Sequence, residues 1–299
     1  MLECVVNVSE GRRTGVLDQL ARATGPALLD VHSDPDHHRA VFTIASEESR
    51  ETEAAVRGLA TAAAEHLSLL DHRGVHPRLG VVDVVPFVAL GPAPPQVAVA
   101  AALAFAQWIA ATLDVPAFLY DLADPARRSL PTVRRDAFTV RSPDVGPAEL
   151  HPTLGATAVG ARRPLVAVNI ELDRDDIDAA RTVASQVRER DGGLRGVRAL
   201  GLHLSSRRHA QVSMNLVDLD ATGLEAACVA VRDQVEALGA HVDRVELVGL
   251  VPWAALDACS AAFREWSGIS ANETIEARVA RAASGAAGAT PDAGPASPV

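Results

Sequence analysis

The chain has 299 residues, 48% hydrophobic and 22% charged, with 28 basic against 38 acidic side chains and a formal net charge of −10. At roughly 150 residues per domain this is material for two domains or one large one, and it excludes disorder as the main state. The acidic balance argues against a polyanion binder, so no nucleic-acid partner is expected, and because every basic residue counted under Lys+Arg is an arginine, a Schiff-base lysine and a P-loop lysine are both excluded.

Cys4, Cys228 and Cys259 are scattered and form no CxxC pair, which fits a reducing compartment better than a disulfide framework. The opening MLECVVNVSEGRR lacks a basic segment followed by an apolar one, so no secretory signal is expected and the localisation read from the sequence is cytoplasmic. Residues 97–113 come nearest to a membrane span; they are Ala-rich, contain Gln107, and read as a buried helix of a soluble protein, so no membrane partner is expected.

In chain order, residues 2–8 read as an apolar strand, 14–23 as a helix and 27–31 as a buried strand. Residues 39–45 alternate, with Ala40, Phe42 and Ile44 on one side and Arg39, Val41 and Thr43 on the other. Residues 51–69 read as a long amphipathic helix and 81–90 as a strand, completing β-α-β-β-α-β. The order recurs: strand 165–172, helix 175–190, strands 197–204 and 209–216, helix 224–238, strand 242–251. This is the ferredoxin-like or split βαβ signature, and the expectation is two α/β (α+β) subdomains with mixed sheets, helices on one face of each, and the open faces meeting at a central cleft or tunnel. The predicted boundaries are 1–161 for the N-terminal subdomain, 162–283 for the C-terminal one and 284–299 for a Gly/Ala/Pro/Ser-rich disordered tail. Residues 121–163 are rich in Pro, Gly and Arg with weak periodicity, and a connection this long is often functional.

Four clusters carry candidate chemistry. The stretch DHRGVHPRLGVVD at 71–83 places His72 and His76 on a loop, since Gly74 and Pro77 break a helix; imidazole moves protons near neutral pH, and Arg73 and Arg78 suit carboxylates, while a polar turn with surface histidines is the plain alternative. In DVHSDPDHHR at 30–39, His32, His37, His38, Asp34 and Asp36 invite a metal reading together with His72 and His76, but HExxH is absent and Asp and Pro also simply make turns. The segment 146–163 has closely spaced glycines that let backbone approach a flat ligand, without a GxGxxG or GxxxxGK[ST] spacing; it equally reads as a linker. On strand 209–216, Gln211, Ser213 and Asn215 share a face that lines a polar cleft or meets solvent.

Several motifs occur together in one order: ECVVNVSEG (3–11), RGVHPRLGVVDVVPF (73–87), LDVPAFLY (113–120), RRSLPTVR (127–134), GPAELHPTLGATAVGAR (146–162), QVSMNLVD (211–218) and LVGLVP (247–252). They resemble the glutamate formimidoyltransferase family, the transferase part of formiminotransferase-cyclodeaminase, over nearly everything but the tail. HPR-x-G-x-x-D and GP-x4-P-x2-GATA-x-GAR are the specific parts. The resemblance implies two α/β subdomains with tetrahydrofolate, a co-substrate, between them, and transfer of a formimidoyl group between glutamate and tetrahydrofolate with no metal. It implies that His76 is the catalytic histidine. It also implies that Gly146, Pro147, Ala148, Glu149, Leu150, His151, Pro152, Thr153, Leu154 and Gly155 bind folate. A homodimer is expected on the same ground. Arg39, Arg73, Arg78 and Arg162 are candidates for the carboxylates, with Arg39, Arg78 and Asn215 expected at the substrate.

The sequence departs from better-known members in having Val-Asn-Val before SEG where Pro-Asn-Phe is frequent, His32 where an aspartate is common, Val75 in place of an acidic residue, and Leu154 in place of a tryptophan. These changes bear on the acceptor and the auxiliary groups more than on the fold. The chain resembles the transferase alone, so ammonia release from the product is expected to need a separate enzyme. Alternatives are formyl or formimidoyl transfer with another amine, a His/Asp metallohydrolase, and a non-catalytic folate or amino-acid binding module.

Overall fold

A computed structural model of the chain describes residues 1–35, 37–70, 72–74, 78–204 and 209–284. Asp36, Asp71, residues 75–77 (including His76) and the tail beyond Ser284 lie outside the described residues, so the readings that fall there stand as expectations. The chain divides into two compact units, Met1–Arg162 and Arg163–Ala280.

The first unit runs β1 (Leu2–Val8), α1 (Thr14–Thr24), β2 (Leu28–Asp34), β3 (Arg39–Ser46), α2 (Ser49–His66), β4 (Val82–Ala89), α3 (Pro95–Leu113), β5 (Ala117–Asp121), α4 (Leu130–Asp136) and β6 (Thr157–Ala161). Its sheet has the order β2-β3-β1-β4-β6-β5. The first four strands pair antiparallel, and β6 joins β4 and β5 in parallel, so this sheet is mixed. Alternation works as the sequence implies: Ala40, Phe42 and Ile44 of β3 are fully buried in the core with Cys4 and Val6 of β1 and Leu59 of α2. Helix α3 gives the same core Ala98, Ala101, Ala102, Phe105, Ala106 and Ile109, so its long apolar run is explained by packing on β4, β5 and β6.

The region 121–163, expected to be irregular, contains α4 and β6. Strand β6 (TAVGA) is buried at all five positions, so it has small residues and no alternation to announce it. Helix α4 also corrects the expectation of helices on one face. Its Val133 packs with Val84, Phe118, Tyr120 and Ala158 in a second cluster, on the side of the sheet away from α1–α3.

The second unit runs β7 (Val166–Leu172), α5 (Ile177–Val187), β8 (Val197–Leu204), β9 (His209–Leu216), α6 (Leu224–Ala237), β10 (Val242–Val248), α7 (Trp253–Asp257), α8 (Ala261–Ser267) and α9 (Ile275–Ala283). Its sheet order, β10-β7-β9-β8, is that of a split βαβ unit. Every neighbouring pair is antiparallel, so this sheet is not mixed as expected. The reason is the split itself: each parallel β-α-β pair has a third strand inserted between its members. Val166, Val168 and Ile170 of β7 and Val212, Met214 and Leu216 of β9 face the helices and are buried.

Candidate active site

Strand β4 is where the first unit's polar groups converge. The pairing of β1 with β4 shifts register between Asn7 and Val8, since Asn7 opposes Val84 and Val8 opposes Val82, leaving Asp83 as the extra residue of a bulge. A bulge re-aims a side chain, and Asp83, fully buried, turns to the face that carries Asn7 and Arg39. Its Oδ2 accepts from Arg39 Nη1 at 2.5 Å and from Arg134 Nη2 of α4 at 2.6 Å, while Oδ1 accepts from the Leu79 backbone N–H at 2.7 Å. Arg39 also donates to Asn7 Oδ1 from Nε (2.9 Å) and Nη2 (2.6 Å). Burial pushes the Asp83 carboxyl up, but the attraction of Arg39 and Arg134 outweighs it and holds the pKa below its ordinary value. Arg39 is pushed down by burial, against the pull of Asp83, and further by the like charges of Arg134 and Arg78.

The turn after β1 supplies Ser9 and Glu10. Ser9 Oγ donates to Gly80 O at 2.8 Å. Glu10, 1% exposed, accepts through Oε1 from the backbone N–H groups of Gly11 (3.0 Å), Arg12 (2.8 Å) and Arg13 (3.0 Å), and through Oε2 from Arg13 Nε (2.5 Å). Burial raises its pKa, but these donors more than compensate and hold the carboxylate below its ordinary value. Gly11 N–H also donates to His38 Nδ1 at 3.1 Å. His38 sits at φ 52°, in the left-handed region that a few residues tolerate at hairpin tips, and its ring stacks on His72 at 4.2 Å between centroids. His72 Nε2 meets the carbonyl oxygen of His38 at 3.0 Å.

The expected folate stretch divides into two parts. Ala148, Glu149, Leu150 and Pro152 are exposed, while Leu154 and Gly155 are buried; Gly146 is exposed at φ 92°, and Pro147, His151 and Thr153 are intermediate. Residues 151–155 close a small loop: His151 and Gly155 exchange backbone hydrogen bonds, and His151 Nδ1 accepts from Leu154 N–H at 3.0 Å. Thr153 O and Leu154 O then accept from Leu69 and Val81 N–H (2.8 and 2.9 Å), and Gly155 pairs with Gly80. Gly155 has φ 74°, and a Cβ there would lie 2.4 Å from Leu79 O. The close approach on the side where a Cβ would stand is therefore to the Leu79–Gly80 backbone.

The other expected residues distribute as follows. Arg78 is half-buried and donates to Gly74 O at 2.7 Å; Arg73 is exposed and donates to His72 O. Arg162 lies close enough to Cys4 and Tyr120 to lower the pKa of each against the effect of burial. Asn215 is an exposed position of β9 in the second unit, opposite Arg198 and Ala167, while Gln211 on the same face is 5% exposed. Three of the histidines proposed as metal ligands are engaged otherwise: His37 Nδ1 pairs with Asp34 at 3.1 Å, and His38 and His72 hold backbone groups. Among the described residues, the ligand atoms that lie within 4.8 Å of one another belong instead to Glu171, His209 and Asp243 of the second unit. Sequence reasoning missed Asn7, Glu10, Asp83 and Arg134 as site-building groups, although Asp83 closes the HPR-x-G-x-x-D motif and Arg134 ends RRSLPTVR.

Imidazoles and guanidiniums dominate this site. The three cysteines are free and buried, and burial pushes their thiols up, Cys228 to about 12, so no thiolate is offered near neutral pH. The arrangement suits acid–base transfer on an anionic substrate. Residues 1–162 match the formiminotransferase domain, N-terminal subdomain, and residues 167–283 match the formiminotransferase domain. The chain is 37% identical over 271 residues to a glutamate formimidoyltransferase of Streptococcus pyogenes serotype M1, covering 86% of this chain and 90% of that protein. It is 32% identical over 300 residues to a glutamate formimidoyltransferase of Thermoplasma acidophilum, covering 95% and 98%. It is 35% identical over 277 residues to the formimidoyltransferase-cyclodeaminase of Mus musculus, where it spans 86% of this chain and 51% of the relative. The chain belongs to the formiminotransferase family of enzymes.

Proposed function

We propose that the protein transfers a formimidoyl group from N-formimidoyl-L-glutamate to tetrahydrofolate, giving 5-formimidoyltetrahydrofolate and L-glutamate, a step of histidine degradation and one-carbon metabolism. The observation that carries the reading is convergence. The SEG turn, the His38–Arg39 hairpin, the 72–74 turn and the 151–155 loop, far apart in sequence, all bond to residues flanking the His76 segment.

Tetrahydrofolate is a substrate in this scheme. Its N5 attacks the formimidoyl carbon and loses a proton; the C–N bond to glutamate breaks, and the departing nitrogen gains one. A single imidazole, His76, accepts the first proton and delivers the second, so no covalent enzyme intermediate is needed. Such assistance is typically worth about 10²–10⁴-fold. Alignment of the two substrates supplies further acceleration.

Arg39, Arg78 and Arg134 bring their positive charges close together, with Asp83 bonded to both Arg39 and Arg134. Arg39 is held in place by Asn7 and Asp83, and its role in this reading is to present fixed positive charge to a substrate carboxylate. The exposed residues Ala148, Glu149, Leu150 and Pro152 are the part of the folate stretch offered to the ligand. Asn215 is assigned to the substrate from its place on the polar face of strand 209–216, and a cytoplasmic homodimer that needs no metal belongs to the same reading. The test is an assay with formimidoylglutamate and tetrahydrofolate run beside formylglutamate, on metal-free protein. Transfer from the first donor supports the reading, and transfer from formylglutamate alone rejects it.

A further inference from the structure

We propose that His38 and His72 form a positioning pair for this transfer: two neutral, stacked rings that latch the turn at residues 72–74 onto the β2–β3 hairpin, two residues before His76 in the chain. The inference rests on the reading of His76 as the proton carrier.

The hydrogen bonds dictate the tautomers. His38 Nδ1 accepts from Gly11 N–H, so the His38 proton is on Nε2. His72 Nε2 faces the His38 carbonyl oxygen, so its proton is also on Nε2 and its Nδ1 is bare. That Nδ1 is buried and has no hydrogen-bond partner among the described residues, on a residue 7% exposed. A second proton fits neither ring. On His38 it would point at Gly11 N–H, itself a donor, and the acceptor beside it, Glu10 Oε1 at 3.4 Å, already serves three backbone donors. On His72 it would be buried without an acceptor among the described residues.

The surroundings agree. The SEG turn presents Glu10, Arg12 and Arg13, the hairpin presents Asp34, His37 and Arg39, and the 72–78 side presents Arg73 and Arg78. Burial lowers the pKa of both rings; the Arg12 charge adds to it at both, Arg13 and the neighbouring His72 add to it at His38, and Arg78 adds to it at His72, while Glu10 opposes it at both and the contact with the His38 carbonyl opposes it at His72.

The latch spans both flanks of the His76 segment. A Cβ on Gly74 would lie 2.6 Å from His37 O and 2.9 Å from His38 Cβ, so the turn is seated directly on the hairpin. Arg78 Nη2 donates to Gly74 O at 2.7 Å, tying the residue after the HP dipeptide to the same turn. Protonation of either ring, or loss of the His72 donor, releases the 72–74 turn from the hairpin and slows transfer without touching a ligand.

The experiment combines ring-nitrogen NMR with kinetics on the full chain. Long-range ¹H–¹⁵N spectra are expected to show both rings as Nε2–H tautomers that stay neutral below the ordinary histidine pKa of about 6.5. His72→Phe keeps the stack and loses the donor; its kcat should fall about 10-fold or more while KM for tetrahydrofolate stays within about 3-fold, the split expected of misplaced chemistry. His72→Gln, whose amide restores a donor near the Nε2 position, should recover kcat to within about 3-fold of wild type. Either ring titrating at or above its ordinary value overturns the proposal, as does wild-type kcat in His72→Phe or failure of His72→Gln to restore it in a folded protein. If His72→Phe does not fold, the spectra and His72→Gln decide. A wild-type chain without formimidoyl transfer overturns the functional reading and the positioning role with it, whereas transfer by wild type with any of the preceding results overturns the latch alone.

Discussion

Arg39 on β3 and Asp83 in the bulge of β4 form a buried ion pair 2.5 Å long, with Arg134 of α4 on the same carboxylate oxygen at 2.6 Å. Both guanidiniums, 13% and 16% exposed, share this carboxylate, which also fixes the Leu79 backbone immediately before the loop-to-strand junction at Gly80–Val81. Removing one member of a buried charge cluster typically costs about 3–5 kcal/mol because the others are left uncompensated. Asp83→Asn keeps shape and an acceptor but removes the charge. Chemical denaturation is expected to show a loss in that range, and an unchanged midpoint would mean the cluster does not bear on stability.

Acidification should weaken the fold in two stages. The folded pKa values of His38 and His72 lie below the unfolded value of about 6.5, so the unfolded chain binds more protons and stability falls as pH drops through that value. Asp83 and Glu10 are lowered too, but from unfolded values of about 4; their contribution is complete above that pH and is lost as pH falls toward their folded values. Urea denaturation at a series of pH values should show the first decline beginning near 6.5. His72→Gln should shrink that first decline and leave the second intact.

Two glycines in the same unit should respond oppositely to alanine. Gly155 has φ 74° and its Cβ would meet Leu79 O at 2.4 Å and Gly80 Cα at 2.9 Å, so Gly155→Ala is expected to cost about 1–3 kcal/mol or more. Gly15 lies in α1 with nothing within 4 Å of its Cβ, and Gly15→Ala should stabilise by about 0.4–1 kcal/mol. Thermal melts of the two variants check the contrast.

Within the folate stretch, exposure separates binding from stability. Leu150 is 52% exposed and Glu149 is also exposed, so Leu150→Ala should leave the unfolding midpoint unchanged and raise the Kd for tetrahydrofolate. Unchanged affinity in calorimetric titration would remove this part of the stretch from the binding surface.

What the sequence displayed follows physical lines. Strands with one apolar face, such as β3 with Ala40, Phe42 and Ile44, alternate visibly in sequence, and the two β-α-β-β-α-β orders follow from them. Strand β6 was hidden because TAVGA is buried on both faces and made of small residues, and α4 because it begins Leu-Pro after a run of turn residues. Asp83 stood in plain view inside VVDVVPF, but a bulge depends on the register of the partner strand, which a single stretch of sequence does not carry. His38 and His72 were both singled out, yet their stacking joins residues 34 positions apart and was invisible locally. The approach of Gly155 to Leu79 and Gly80 is hidden for the same reason, since that backbone lies about 75 residues away in sequence.

In the proposed reaction His76 carries the proton between tetrahydrofolate and the departing glutamate. Steady-state transfer from formimidoylglutamate by His76→Ala, with tetrahydrofolate binding measured in parallel, tests that role most directly. The variant's kcat should be lower by about 10²–10⁴-fold with folate affinity within a few-fold of wild type, and turnover near the wild-type rate would rule the role out.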